Sequence, residues 1–464
     1  MKTTNNNNQK NNISGQKIAK FAFFSILGVL LFMLPIPTAD GAFNIPLGFV
    51  IDALGSIMQT ENIDLRQILL LIFLSIAVIL PIITKVFKLE TLSKNKFLSP
   101  VVNVSIINII VRAIAAFIAF SVFAGFTGEG IFILEEILHS WTAGVMVGDV
   151  AVILVPIFIV LAFAIPILTK FGAMEFAGVL IKKVVRKLFT LPGRSSIDLF
   201  SSWFGSSSAS VIITTEQHKE GFYSDREAAA ICVNFSMVSV PFSFVIASTM
   251  GIERFFPIWY VIISITSIIL AVILPRIWPL RNIKDTFIKE IKREEDIPTG
   301  KKRFAHALET ATERAEKTTF KDVITNALEI WANIFFDMIP IIVAIGSITL
   351  AVVEFTNFFS IIGTPFGFYL ELFGLSSEYA PAMLTGFIDV FIPALTLTDA
   401  TLQAQFIIGA LSVVQIIYLT EVGVLILKSK IPLNVLHLLV IFLMRTILAL
   451  PIIFGLTWIF TNIL

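Results

Sequence analysis

The chain has 464 residues, of which 56% are hydrophobic and only 14% are charged, whereas an ordinary soluble domain has about 25% charged residues. Mean hydropathy is +0.90, and the apolar residues fall in blocks of about 20, the length that crosses a bilayer as a helix. This composition excludes a soluble protein. The net charge is only +1, so no strong basic field favours nucleic acid as a partner.

Residues suited to catalysis or metal binding are few and scattered. The single cysteine, Cys232, excludes a disulfide framework and a thiolate metal cluster. The four histidines lie far apart in the sequence, without the spacing of metal ligands. The chain has no phosphate-binding glycine loop, no His-Glu-x-x-His and no Gly-x-Ser-x-Gly motif. We therefore expect no enzyme activity, no cofactor and no metal site.

In chain order, residues 1–20 form a polar stretch that is too asparagine-rich for a signal peptide, and we predict a disordered cytoplasmic tail. Apolar blocks follow, and two further stretches, 195–220 and 376–400, are broken by serine, glycine, proline or acid. These patterns predict an all-α polytopic membrane protein with about nine transmembrane helices and two re-entrant hairpins. The predicted spans are 21–36, 65–84, 101–126, 145–169, 227–250, 256–275, 327–353, 402–427 and 432–460.

Lysine and arginine are concentrated in alternate connecting segments, which hold 30 of the 34 basic residues. Retained positive charge marks the cytoplasmic side of a membrane protein. We therefore predict that the amino terminus is inside and the carboxyl terminus outside. The basic segments are 1–20, 85–96, 170–226, 276–321 and 428–430, and the loops without basic residues are 37–64, 127–148 and 355–401.

The two halves of the chain resemble each other in the order of their parts. Each half has an Ile-Pro helix, an interfacial stretch, a hairpin, a span with polar residues and a final apolar span. The charge pattern makes the two copies inverted, which is the architecture of secondary transporters, although chance similarity between Ile-, Phe- and Val-rich helices is the alternative. The predicted domains are a three-helix region at 21–144, repeats at 145–275 and 322–464, and a charged cytoplasmic linker at 276–321.

Short motifs carry a resemblance to a known family. The chain resembles the bacterial YjiH family in four features. These are LPGRSSID at 191–198, YSDRE at 223–227, the serine-rich run between them, and the second copy of the repeat. Members of that family carry the nucleoside-recognition Gate domain, which also occurs in concentrative nucleoside transporters, a ferrous-iron transporter and spore maturation membrane proteins. The resemblance covers residues 145–460. It implies a multi-pass protein of the bacterial cytoplasmic membrane and a nucleoside-like solute.

Serines crowd the first predicted hairpin, with eight of them between residues 195 and 215. Serine and glycine weaken a helix and leave amides and hydroxyls available to a polar ligand, whereas close helix packing is the alternative role. The second hairpin is broken at the corresponding place, and polar residues follow both. The predicted substrate-binding residues are Ser202, Gly205, Ser206, Ser207, Ser208, Asn234, Ser236, Thr385, Gly386 and Gln415.

The acids selected as coupling-ion candidates lie within predicted membrane segments: Asp337, Asp389 and Glu421. An unpaired charge there costs several kcal/mol, so each acid is a candidate for holding a coupling ion. Structural ion pairs are the alternative explanation for these acids and for the intramembrane arginines. The alternative pairs are Arg445 with Glu421 and Arg112 with Asp149.

These features predict a secondary active transporter of a small polar solute that works by alternating access and is coupled to sodium or protons. Two alternatives stay open: transport of amino acids, dipeptides or other carboxylated solutes, which free amides at helix ends would favour, and a non-transporting scaffold or pore subunit. Membrane lipid is a further predicted partner, because 175–188 has the pattern of a basic interfacial helix. A homo-oligomer or a small membrane partner also stays open.

Overall fold

The structure is a computed structural model that describes residues 15–34, 36–38, 43–60, 63–94, 98–131, 133–289 and 301–463. Most of this part is helical, as the sequence predicts, and two short antiparallel strands, Ile36–Pro37 and Phe43–Asn44, are paired within it. Residues 1–14 of the predicted tail lie outside the described residues. The first helix begins at Gly15, inside the segment that we predicted as a tail.

Eight helices of the described part are long and apolar enough to cross a bilayer. Each coincides with one of the nine predicted spans. These helices are Gly15–Met33, Leu65–Val86, Ile106–Phe123, Ser140–Thr169, Glu253–Arg276, Phe320–Phe355, Leu402–Lys428 and Val435–Phe460.

Large apolar side chains face outward along the peripheral helices. Ile106 and Ile107 are 70% and 72% exposed, and Phe23 is 62% exposed. Soluble proteins do not present such continuous apolar surfaces to water, whereas lipid tails are as apolar as these side chains. The chain is therefore a multi-pass membrane protein.

The remaining predicted span, 227–250, is not one helix in the structure. It is divided into Asp225–Asn234 and Val240–Thr249, and we call residues 235–239 between them the first break. The second helix starts here because Ser239 caps it and Pro241 lies in its first turn, where a missing N–H costs nothing.

A second interruption lies inside the span Leu402–Lys428. The α-helix Leu402–Gln415 ends there, Ile416 takes a positive φ of 62°, and a π-helical turn resumes the span at Leu419–Gly423. We call residues 416–418 the second break. Both broken helices follow a helical hairpin in the sequence.

The two hairpins lie within the stretches that the sequence analysis selected. The first hairpin consists of Ser196–Phe204 and Ser207–Lys219, and the second consists of Ala380–Thr385 and Ile392–Thr396. In each hairpin the two helices pack against each other.

Helices of the two halves also pack against each other. Helix Val152–Thr169 contacts Phe320–Asn333, and helix Phe256–Ile273 contacts Val435–Ile463. The largest apolar cluster of the described residues therefore contains side chains from both halves. The remaining α-helices are Pro46–Met58, Glu90–Lys94, Ser99–Val102, Leu134–Leu138, Ala173–Leu188, Lys301–Lys317, Ile339–Phe355, Phe358–Glu371 and Val424–Lys428. Two further segments are π-helical, Ser140–Ala151 and Ile334–Met338. Single 3-10 turns lie at Gly193–Ser195, Glu253–Phe255, Leu274–Arg276, Leu280–Asn282 and Ser377–Tyr379.

The predicted linker 276–321 contains a helix, Lys301–Lys317, that packs against the body of the protein. Arg303 Nη1 donates to the Leu180 carbonyl at 3.2 Å, and Lys17 pairs with Glu316 at 2.7 Å. Residues 290–300 lie outside the described residues. This linker helix contacts both the first transmembrane helix and the interfacial helix Ala173–Leu188.

Candidate functional site

A cavity of about 700 Å³ lies between the two halves. Its volume falls in the range of sites for small molecules. The first hairpin, the second hairpin and the residues after both breaks contribute to its wall. The polar and charged lining residues are Thr169, Lys170, Glu175, Ser201, Ser206, Ser207, Ser208, Ser239, Arg314, Asn326, Asn333, Asp337, Asp389, Tyr418, Thr420 and Glu421.

The turn of the first hairpin forms one side of the cavity. Gly205 ends its first helix, and a Cβ at this position would lie 2.5 Å from the Ser201 carbonyl oxygen, so the tight turn requires glycine. Ser206 caps the second helix by accepting from the Ala209 N–H at 3.1 Å. The turn thus directs the amino end of Ser207–Lys219 at the cavity.

Serine hydroxyls connect this hairpin to the first break. Ser207 Oγ donates to the Met237 carbonyl at 3.0 Å, and Ser202 Oγ donates to the same carbonyl. The Trp203 indole N–H lies 2.6 Å from the Met237 sulfur. The hairpin and the first break are therefore one connected unit.

Glu421 lies at the amino end of the hairpin helix Ser207–Lys219, although the two belong to opposite halves. Its carboxylate accepts from the Tyr418 hydroxyl at 2.9 Å and interacts with the Ser208 backbone N–H. A helix amino terminus carries partial positive charge, which favours a carboxylate there. The second half thus contacts the first hairpin directly beside the cavity.

Asp389 lies where the second hairpin meets the second break. One carboxylate oxygen accepts from the Phe391 N–H at 2.8 Å, and the other accepts from the Thr420 hydroxyl at 2.5 Å. The backbones are also paired, because the Leu419 N–H donates to the Phe387 carbonyl at 2.9 Å. Within the described residues, no basic side chain pairs with Asp389.

Asp337 reaches the cavity from the π-helical turn Ile334–Met338. One carboxylate oxygen lies 3.3 Å from Nη2 of Arg112, which is itself buried and also donates to two backbone carbonyls. The alternative that paired Arg112 with Asp149 stays a prediction, because the side chain of Asp149 lies outside the described residues. The side chain of Asp337 remains half-exposed and faces the cavity.

The alternative pairing of Arg445 with Glu421 is wrong. Arg445 is fully buried and donates to backbone carbonyls and to the side-chain oxygen of Asn234. Glu421 is held instead by Tyr418 and the first hairpin. The cost of an unpaired charge within a membrane segment suggested the pair, but the two side chains bind different partners.

Charged residues line the cavity where it approaches the linker helix. Arg314 of that helix lies 3.4 Å from Glu175, and Lys170 lies nearby. Burial raises the pKa of Glu175 and lowers the pKa of Lys170. We call these three residues the mouth of the cavity.

Comparisons with known proteins place this geometry in a family. The Gate model, described as nucleoside recognition, matches residues 151–253. These residues include the first hairpin and the first break. An uncharacterized protein of Alkalihalophilus pseudofirmus is 36% identical over 440 residues, which cover 94% of this chain and 93% of the relative.

The chain belongs to the YjiH-like family of Gate-domain membrane proteins. No solved structure matches it. The family is one of transporter-like proteins with a nucleoside-recognition domain.

Seven of the thirteen predicted site residues line the cavity of this Gate protein: Gly205, Ser206, Ser207, Ser208, Asp337, Asp389 and Glu421. The other six are held in packing contacts around it. Asn234 accepts from Arg445, and Ser202 donates to the first break. Ser236 is buried within that break and does not line the cavity.

The remaining three residues fix the second hairpin against its broken helix. Gln415 donates to the Met383 carbonyl at 2.8 Å, and Gly386 leaves room for the Gln415 amide, because a Cβ there would lie 2.3 Å from its oxygen. Thr385 donates to the Ala382 carbonyl within its own helix. None of these three residues lines the cavity, so a contact of theirs with the solute stays a prediction.

The sequence analysis missed two amides that line the cavity, Asn326 and Asn333. Together with Asp337 they are spaced by seven and four residues, which places all three on one face of the Phe320–Phe355 helix. That spacing was visible in the sequence as a polar stripe on an apolar span. Tyr418 and Thr420 were missed because the second break has no glycine or proline to mark it.

The acids of the cavity do not form a metal centre. Within the described part of the chain, no group of three His, Cys, Asp or Glu side chains is close enough to hold a metal ion. The carboxylates are instead distributed along the cavity wall. They can accept hydrogen bonds from a polar solute or attract a cation.

Proposed function

We propose that this Gate-family protein is a secondary transporter that binds a small polar solute in the cavity between the first hairpin and the second break. The observation that carries the proposal is the junction of the two halves. Ser208 of the first half and Glu421 of the second line the same cavity, and the helix Ser207–Lys219 packs against the turn Leu419–Gly423 that carries Glu421. A solute bound there contacts both halves, which is the arrangement that alternating access requires.

A neutral or cationic solute fits this cavity better than a carboxylated one. The deep wall offers hydroxyls, amides and the three acids, whereas the basic lining residues Lys170 and Arg314 lie at the mouth. A carboxylate deep in the cavity would meet Asp389 and Glu421, and like charges repel strongly in a poorly hydrated site. This distribution favours nucleoside-like solutes over amino acids and dipeptides.

Ion coupling is the second part of the proposal. Asp389 is assigned as the principal group for sodium or a proton, because its carboxylate lacks a basic partner within the described residues. Asp337 has Arg112 beside it, and we assign it a secondary role. Glu421 connects ion and solute binding, since it also contacts the first hairpin.

The orientation is proposed from the charge pattern, with the amino terminus and linker helix in the bacterial cytoplasm and the carboxyl terminus outside. Within the described residues, eight long helices and one span divided at the first break give an odd number of crossings. In this orientation the mouth of the cavity faces the cytoplasm. The structure then corresponds to an inward-open state of the cycle.

A thermal-shift screen of the purified protein tests the proposal. The ligands are nucleosides, nucleobases, amino acids and dipeptides, each with and without sodium. A nucleoside at about 100 times its Kd should stabilise the protein by about 2.7 kcal/mol, and sodium should enlarge the shift. A shift only with carboxylated solutes would contradict the proposed solute class.

A pair of serine variants links the shift to the cavity. Ser208→Ala removes a cavity hydroxyl that has no partner within the described residues, and should weaken nucleoside affinity about fivefold, the effect of one hydrogen bond. Ser210→Ala is the control, because its buried hydroxyl lies on the same helix outside the cavity. Equal affinities in both variants would argue against the site.

Copurification of the protein with another chain, together with no response to any ligand in the screen, would favour the scaffold alternative.

A further inference from the structure

Arg445 is a fully buried guanidinium with no carboxylate partner among the described residues. Its Nε donates to the Val414 carbonyl at 2.9 Å. Its Nη1 donates to the Val233 carbonyl and to the side-chain oxygen of Asn234, both at 3.0 Å. These acceptors come from two segments that are about 180 residues apart in the chain.

The acceptors lie at the carboxyl ends of the two broken helices, Asp225–Asn234 and Leu402–Gln415. Carbonyls in the last turn of a helix have no partner in that helix. Each helix end also carries roughly half a negative charge. Two such ends together offset the single positive charge of Arg445, so its burial is favourable only while both ends lie beside it.

Each break is also connected to a hairpin. Ser207 binds the first break through the Met237 carbonyl, and Thr420 binds Asp389 where the second hairpin meets the second break. A displacement of either hairpin therefore reaches the helix end that Arg445 holds.

We propose that Arg445 is a positioning residue that couples the two halves, so that the first and second breaks change position together. The residue does not line the cavity, and it acts through the helix ends that it holds. Its role in a transport cycle rests on the proposed function. The coupling itself can be measured without any solute.

Hydrogen–deuterium exchange of the purified full-length protein tests this coupling. Asn234→Ala removes one acceptor from the first half only. We expect amide exchange at 235–239 to rise about tenfold, the factor for losing one hydrogen bond to a charged group. The distinguishing result is a rise at 416–420 as well, because a local structural role of Asn234 would leave the second half unchanged.

Ser236→Ala is the matched control, because Ser236 is buried in the same break and its hydroxyl has no partner within the described residues. It should leave exchange at 416–420 unchanged. Arg445→Gln should raise exchange at both breaks, and Arg445→Lys, which keeps the charge, should raise both less. If Arg445→Gln does not fold, Asn234→Ala and Arg445→Lys carry the test.

A rise confined to one break in Asn234→Ala or Arg445→Lys would overturn the coupling. An equal rise of exchange at 416–420 in Ser236→Ala would also overturn the coupling. If no solute binds but exchange rises at both breaks, the transport proposal fails and the coupling by Arg445 stands. If a solute binds but exchange rises at only one break, the coupling fails and the transport proposal stands. The two failures are therefore distinguishable.

Discussion

Asp389 is held by neutral donors only, which separates it from Asp337 and Glu175, because each of those acids has an arginine beside it. The Phe391 N–H and the Thr420 hydroxyl occupy one oxygen each, and each carboxylate oxygen can accept a second bond or contact a cation. The alternative role, a structural pair with an arginine, is not supported by the contacts of Arg445.

Asp389→Asn should therefore abolish the sodium or proton dependence of solute binding while the protein remains folded. The amide keeps the shape of the side chain, and the loss of a charge-assisted hydrogen bond should lower the free energy of unfolding by only about 1.5–3 kcal/mol. The measurement is the thermal shift with solute at several sodium concentrations and pH values.

Thr420→Val is the matched control for this variant. It removes the hydroxyl that binds Asp389 but leaves the carboxylate in place. Ion dependence should persist in Thr420→Val. If both variants lose stability and both retain ion dependence, Asp389 has only a structural role.

At the residue scale, the sequence identified most of the acids and serines of the cavity but not their partners. Charge within an apolar span was enough to select Asp337, Asp389 and Glu421, because such residues are costly without a role. The partners of the arginines could not be predicted, because Arg445 binds Asn234 from 211 positions away. Only the fold brings those side chains together.

The first hairpin is defined by its turn, and the turn depends on Gly205. A methyl group at this position would press on the Ser201 carbonyl at 2.5 Å, and overpacking of this kind costs about 1–3 kcal/mol. We expect Gly205→Ala to lower the melting temperature and to displace Ser206, Ser207 and Ser208. Thermal unfolding with and without solute measures both effects.

Gly455→Ala is the control for this prediction, because Gly455 lies within the helix Val435–Ile463 with open space where a methyl group would lie. Alanine in a helix interior is favoured over glycine by about 1 kcal/mol. Gly455→Ala should therefore be neutral or stabilising. Unchanged stability and solute binding in Gly205→Ala would show that the turn tolerates a side chain.

The two breaks differ in how far the sequence could reveal them. The first has Ser239 and Pro241, a capping residue and a proline at the start of a helix, and the prediction of an unbroken span at 227–250 overlooked that signal. The second turns at Ile416, a β-branched residue with positive φ. Such residues rarely adopt this conformation, so no local rule could have predicted it.

At the scale of the whole molecule, hydropathy predicted the helical membrane class and the eight long helices. A helix that faces lipid must form all its backbone hydrogen bonds internally, so its sequence is a long apolar block. The packing of corresponding helices from the two halves could not be read from hydropathy. That packing creates the cavity and brings Glu421 to the first hairpin. The binding site is thus a product of the assembled halves rather than of either one.

The most direct test of solute binding in this cavity is cysteine labelling at Ser208, in a background where Cys232 is replaced by serine. An impermeant maleimide should label Ser208→Cys rapidly in inside-out membrane vesicles, because the cavity mouth faces the cytoplasm in the proposed orientation. The solute with the largest thermal shift, at about 100 times its Kd, should slow labelling up to about a hundredfold, since about 1% of sites are then free. Labelling at Lys302→Cys, on the linker helix, should not change with solute. Labelling of Ser208→Cys at its full rate in saturating solute, or only in right-side-out vesicles, would contradict the account.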